Sequence, residues 1–442
     1  MKKIIAFILA TIMMLGMFSI GTFAEASLTL DIQAVEGASV RIGTVAGIRF
    51  KTKINKVQLD AIVAEKGEAN VEIGTLITPT EYVRGAGAFT MEALDAYKIT
   101  AGFSNDAYVK VLATYGSPFE TEGDYYIYAG SLENILPQNE MLEFSGIGYV
   151  KIGEEVVYAD YNEFNSSRTV GYVAYRAYLE NDSNLGANGK SLIDGFANKF
   201  LVAKLGEDAP DISVIRYFEA FDDKADCEYS LATSLLGWSA ANYTASNVSI
   251  YRPDIQAKYK NGMLIFNAPT VEGATVGTAG YSGFLKIPDL DANMYAEGDT
   301  HLVMEFDLKI TAGDNTSAIG VAYCSDDTTN FARAIPIYKS NEKALFYLNN
   351  TSQAGFVTST VWKKSLGCDF SANTVNVRFE WKLGDPAGEL YINGTVLTDY
   401  GHWGNGNTYA VEECNLGLFF TGAGTYEVDN LLVYSYGDGG GL

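Results

Sequence analysis

The chain has 442 residues, 48% of them hydrophobic and 19% charged, with 45 glycines, 29 tyrosines and 23 phenylalanines. That composition excludes a disordered polypeptide and a small cysteine-stapled scaffold, and the length suits roughly two or three domains with cores of their own. A formal net charge of −23 argues against nucleic acid as a partner, because neutralising phosphates takes a basic face.

Lys2 and Lys3 precede an apolar run from Ile4 to Ile20, and Ala24-Glu25-Ala26 then supplies the small-x-small pattern of a signal peptidase site. Residues 1–26 are therefore read as a signal peptide, and the mature chain as secreted, acting outside the cell or at its surface. Removing Lys2, Lys3 and Glu25 from 31 basic and 54 acidic residues leaves a net charge of −24. No later stretch is apolar enough to cross a bilayer, so no transmembrane segment is expected in the mature chain.

Residues 27–206 mix the two periodicities. Ser39 to Ile54 alternates around Ile42, Val45, Ile48 and Phe50, and Val71 to Ile77 reads as another strand. Asn55 is placed to cap a helix with Leu59, Ile62 and Val63 on one face, which Gly67 ends. Tyr125 to Tyr128, and Phe144–Ile152 joined through Gly153 to Glu155–Tyr158, extend the sheet. Two longer helices are expected, one after Ser166 with Val170, Val173, Ala174, Ala177 and Tyr178 in a stripe, the other after Asn188 with Leu192, Phe196, Phe200 and Ala203. The expected class for this region is an α+β domain.

Residue usage changes near position 206, since every tryptophan, cysteine and histidine lies beyond it. The polar stretch at 207–212 reads as a linker. From 213 to 436 short strands alternate with Gly, Asn and Asp clusters, the pattern of an all-β two-sheet sandwich. Val375, Val377, Phe379 and Trp381 alternate with Asn376, Arg378, Glu380 and Lys382, giving one buried and one wet face. Gly437-Asp438-Gly439-Gly440-Gly441-Leu442 forms a glycine-rich tail.

Two resemblances follow from particular phrases. Gly47-Ile48-Arg49-Phe50, Gly74-Thr75-Leu76-Ile77 and Gly148-Tyr149-Val150-Lys151 resemble an uncharacterised domain of secreted bacterial proteins that occurs beside carbohydrate-related domains. Tyr217-Phe218-Glu219-Ala220-Phe221-Asp222, His301-Leu302-Val303-Met304-Glu305-Phe306-Asp307-Leu308, the Trp381 strand, Tyr391-Ile392-Asn393-Gly394 and Glu427-Val428-Asp429-Asn430-Leu431-Leu432-Val433 resemble a concanavalin A-like or laminin-G-like jelly roll. The second resemblance implies a fold shared by sugar-binding modules, protein-binding modules and glycoside hydrolases, so it implies no single activity.

Glu305-Phe306-Asp307 projects two carboxylates to one side of a strand. Hydrolases of glycoside hydrolase family 16, on the resembled fold, carry a further acid, but here Lys309 takes the next outward position and Ile310 stands where that acid is expected. Catalysis is therefore not expected at this strand. Asp289 and Asp291, followed by Glu297 and Asp299, concentrate hard oxygen donors in one loop, and Asp222, Asp223 and Asp429 form a second group, so a structural calcium is the candidate cofactor. Cys227, Cys324, Cys368 and Cys414 allow two disulfides in three pairings, or buried free thiols. The loop Tyr400 to Tyr409 gathers Tyr400, His402, Trp403, Asn405, Asn407 and Tyr409, flat rings beside amides, which is what the apolar face and hydroxyl edge of a sugar require. Trp238 and Trp362 are secondary candidates. The expected function is a non-catalytic carbohydrate-binding protein whose partner is a polysaccharide or glycan. The rivals are a protein-interaction module that meets other cell-surface proteins and a divergent glycoside hydrolase.

Overall fold

The computed structural model describes residues 30–41, 47–179, 186–222, 224–240, 243–245, 248–250, 252–273, 282–287, 298–313, 317–325, 331–338, 343–345, 363–365, 368–382, 388–396 and 414–437. They divide into two units, one taking the residues up to Ala38, Ile48–Glu133 and Phe144–Ser167, the other Ser39–Gly47, Asn134–Glu143 and Arg168–Leu442.

The first unit holds strands β1 (Ile32–Ala34), β2 (Gly47–Asn55), β3 (Val71–Pro79), β4 (Val109–Ala113), β5 (Glu120–Glu122), β6 (Tyr125–Glu133), β7 (Glu143–Ile152) and β8 (Glu155–Tyr158), with helices α1 (Lys56–Lys66), α2 (Thr80–Ala86) and α3 (Met91–Ala101). One sheet runs β1-β2-β6-β5 and the other β7-β3-β4, with β8 beside β7. The sheets meet through glycines. A Cβ added to Gly146 would lie 2.1 Å from Phe50, one on Gly148 2.2 Å from Thr52, and one on Gly130 2.4 Å from Thr75. The glycine-apolar phrases noted in the sequence are thus points of close sheet packing. Asn55 caps α1 as expected, its Oδ1 accepting from Gln58 N at 3.2 Å, and Gly67 ends the helix with φ 82°. Helices α2 and α3 were not legible in the sequence, because α2 is short and α3 buries only Met91 and Leu94.

The second unit begins with α4 (Val170–Leu179) and α5 (Gly186–Leu205) and continues through β9 (Ile215–Glu219), β10 (Gln256–Lys260), β11 (Met263–Ala268), β12 (Ser282–Lys286), β13 (His301–Gly313), β14 (Ala318–Ser325), β15 (Phe331–Tyr338), β16 (Val375–Lys382), β17 (Gly388–Ile392), β18 (Cys414–Thr421) and β19 (Gly424–Tyr436). A nine-stranded sheet contains the run β10-β11-β19-β13-β16-β17, with β9 also paired to β19, and a seven-stranded sheet contains β12-β18-β14-β15. They share one apolar core, which includes Met304, Phe306 and Phe379 from the first and Ile319, Val321, Leu418 and Phe420 from the second. This is a two-sheet β-sandwich, as the alternation implied. Asn393 and Gly394, with φ 48° and 75°, turn β17 back into Thr395–Val396, the mirror-image turn that suits hairpin twist.

The domain division differs from the one expected at 206–212. Helices α4 and α5 bury Ala174, Tyr175, Ile193, Ala197, Phe200 and Leu201 against Ile215, Phe218, Val303, Leu432 and Tyr434 of the nine-stranded sheet. Their apolar stripes need a partner, and the outward side of that sheet supplies it. The Tyr175 hydroxyl donates to Phe218 O at 2.6 Å. Nor is 207–212 a free linker. Ile212 is fully buried, its N–H donates to Asn198 Oδ1 at 2.7 Å, and Asn198 Nδ2 donates to Asp211 Oδ2 at 3.1 Å.

Candidate functional site

Alternation along β13 sends Leu302, Met304, Phe306, Leu308 and Ile310 into the core, each 0% exposed. His301, Val303, Glu305, Asp307 and Lys309 must therefore face outward. Register places Asn376, Arg378 and Glu380 of β16 beside Asp307, Glu305 and Val303. Tyr391 and Glu389 of β17 follow opposite Arg378 and Glu380. On the other side, β19 carries an extra residue. Glu305 pairs with Leu432 but Asp307 with Asp429, so the register shifts by one where Asn430 has φ 49°. This bulge brings Asp429 and Asn430 to the outward face together.

The polar side chains there form one hydrogen-bonded group. Asn376 Nδ2 donates to Glu305 Oε1 at 2.9 Å and to Asp307 Oδ1 at 3.2 Å, and Asn430 Nδ2 donates to Asp307 Oδ2 at 2.9 Å. Asn376 is itself fixed, since its N–H donates to Asn393 Oδ1 at 3.0 Å. Arg378 Nη2 donates to Glu380 Oε2 at 2.7 Å, and Tyr436 donates to the other oxygen of Glu380. The Arg378 guanidinium lies 5.0 Å from the Tyr391 ring centroid and 5.9 Å from that of Tyr434, within reach of a cation–π attraction to both. The His301 ring stacks on Tyr436 at 4.7 Å.

Two buried polar atoms in this group have no hydrogen-bond partner, Arg378 Nε and the Tyr434 hydroxyl. Burial raises the pKa of Glu305; the Asn376 hydrogen bond and Arg378 oppose the shift, and Asp307 adds to it. Asp429 is pushed up to about 7, first by burial and then by the charges of Asp222 and Asp307, against the Asn430 N–H and Lys204.

The expected site residues fare unevenly. Glu305 and Asp307 face outward with Lys309 beside them, and Ile310 is in the core, so the strand carries no third acid. Trp381 is a core residue as expected, 3% exposed and stacked on Phe379. Trp238 is also core, 4% exposed and packed against Tyr217 and Phe266, which removes it as a binding candidate. Tyr400, His402, Trp403, Asn405, Asn407 and Tyr409 lie outside the described residues, as do Trp362, Asp223, Asp289, Asp291 and Glu297. Asp299 is engaged by protein donors, pairing with Arg216 at 3.0 Å and accepting from Ser435 at 2.5 Å. Asp222 pairs with Lys204 of α5. Among the described residues no group of three or more His, Cys, Asp or Glu side chains is arranged to hold a metal. Cys227 is a free thiol, so the four cysteines do not form two disulfides, and its Sγ accepts from Tyr259 N at 3.2 Å. Among the described residues no helix is long and apolar enough to cross a membrane.

The sequence reading missed Asn376, Arg378, Glu380, Tyr391, Asn430 and Tyr434 as a group. The available signal was Asp429-Asn430 inside an apolar strand, where such residues are disfavoured, together with the polar alternation from Asn376 to Glu380.

No protein-family model matches the chain, and no curated protein matches its sequence. Similar solved structures include the Emp47p carbohydrate recognition domain (9% identity, 52% of this chain and 100% of that one, TM-score 0.31). The carbohydrate-binding module CBM66 from Bacillus subtilis is another (15%, 45% and 96%, TM-score 0.25), as is β-agarase B from Zobellia galactanivorans (12%, 50% and 90%, TM-score 0.28). These likenesses are distant, and the sandwich assignment stands on the sheet order and core described above.

Proposed function

We propose that this chain is an exported carbohydrate-binding protein and that it holds a glycan on the outward face of the nine-stranded sheet. The observation that carries this reading is the group around Arg378. Carboxylates, an amide, a guanidinium and tyrosine rings stand side by side, half-buried, with a buried tyrosine hydroxyl still unpartnered. Sugar hydroxyls donate to carboxylates and accept from guanidinium and phenol groups, and the C–H face of the ring packs on an aromatic surface. The loop from Tyr400 to Tyr409, with Trp403 as its platform, is proposed as a further sugar contact. Export rests on the leader at residues 1–26.

A glycan array probed with the mature chain and with Arg378→Gln tests the reading. Retention of one glycan class by the wild type and its loss in the variant is expected, whereas equal retention by both would remove the site from this face.

A second reading, glycoside hydrolysis, has one observation in its favour. Glu305 and Asp307 share the Asn376 amide, and Asp429, pushed up to about 7, lies opposite Asp307 in the register. A carboxyl group protonated near neutrality is suited to donate to a leaving oxygen. Release of new reducing ends from a bound glycan, abolished in Glu305→Gln, would establish hydrolysis, and its absence leaves binding alone.

A further inference from the structure

Resting on the binding reading above, we propose that the outward-face site takes the terminal residues of a neutral glycan rather than an internal stretch of a chain. Among the described residues the geometry is a row with one open and one closed end. Across the strands the residues run Tyr391 of β17, Arg378 of β16, Glu305 of β13 and Leu432 of β19. The next row runs Glu389, Glu380, Val303, Tyr434 and Ile215. In both rows the β17 and β16 side is polar and the β19 side is apolar, and the apolar side is covered. Leu432, Tyr434, Val303, Ile215 and Phe218 lie beneath α4 and α5, with Phe200 and Tyr175 set against Phe218 at ring distances of 6.2 and 5.5 Å.

A glycan laid across the sheet from the β17 side therefore meets a helical wall two strand spacings in at Val303 and three at Leu432, about 10 and 14 Å. It cannot continue over β19 and β9. At the foot of that wall sits the Tyr434 hydroxyl, whose residue is 1% exposed, with no hydrogen-bond partner. The Glu305 and Glu380 charges act on it, and the Arg378 guanidinium lies over its ring. A sugar hydroxyl reaching the closed end would complete this group. Charge sets the class of sugar. Glu305, Asp307, Glu380 and Glu389 outnumber Arg378 and Lys309 on this face, so a uronate or sulfate would meet an excess of like charge, and a neutral sugar would not.

Length-graded linear fractions of amylose, pullulan, β-1,3-glucan and β-1,4-mannan, with cyclodextrins as amylose lacking ends, are titrated into the mature chain and into Arg378→Gln and Tyr434→Phe. The expected result is a constant number of protein molecules bound per polysaccharide chain as the chains lengthen, no binding of cyclodextrin where amylose binds, and a loss of about tenfold or more in affinity in Arg378→Gln. Protein bound in proportion to chain length, and lost in Arg378→Gln, overturns end recognition and leaves the site standing. Binding that survives in Arg378→Gln and Tyr434→Phe overturns the site itself. Failure of every neutral fraction to bind overturns the inference, and a hit on charged glycans alone in the array would then leave only the broader function.

Discussion

The two faces of strand β13 differ in what decides burial. On the inner face Leu302, Met304, Phe306, Leu308 and Ile310 are all fully buried, because every second residue enters one core. On the outer face neighbours part company. Val303 is fully buried beneath α4 and α5, while Glu305 and Asp307, two and four residues on, join a polar group. Strand period alone settles the first face, and the second depends on a helical pair brought from elsewhere in the chain.

That contrast can be broken at either face. Truncating the inner face has the largest effect expected: Trp381→Ala, removing a core ring stacked on Phe379, costs about 3–5 kcal/mol in denaturant unfolding and leaves glycan binding unchanged in whatever fraction remains folded. Leu432→Ala tests the outer face where the helices cover it. A loss of about 2–5 kcal/mol is expected, and a surface-like loss below about 0.5 kcal/mol would show that α4 and α5 do not seal this side.

A third substitution sharpens the contrast between sheet and loop. Trp403→Ala is expected to weaken glycan binding by about 1–3 kcal/mol, by analogy with stacking on nucleobases, with an unchanged melting temperature. A large drop in melting temperature would instead make Trp403 a core residue like Trp381.

The last effect concerns pH. Asp429 has a folded pKa of about 7 against an ordinary value of 3.8, so the folded protein holds this proton more tightly than the unfolded chain. The stability it contributes is complete below 3.8 and is lost as the pH rises to about 7. Asp429→Asn should flatten that fall, leaving a residual slope from Glu305, whose pKa is also raised. An identical pH profile in wild type and variant would mean that Asp429 is not held in its buried setting.

Much of the fold was legible because period-two alternation is a local signal. It marked the buried sides of β13 and β16 and the outward direction of Glu305 and Asp307. The placement of α4 and α5 was not local. Their stripes announced a buried face but not its partner, and the polar residues around 207–212 suggested a break where Ile212 in fact packs. The site was half legible for a related reason. Asn376, Arg378 and Glu380 showed a wet face, but only the register joins them to Glu305 and Asp307, and only the bulge at Asn430 adds Asp429.

The account turns on the claim that Arg378 and its neighbours hold a sugar. Calorimetric titration of the glycan class retained on the array, into wild type, Arg378→Gln and Glu305→Gln with melting curves recorded alongside, tests it most directly. The predicted result is a loss of about tenfold or more in both variants while each still melts cooperatively. Wild-type affinity in both folded variants would contradict it.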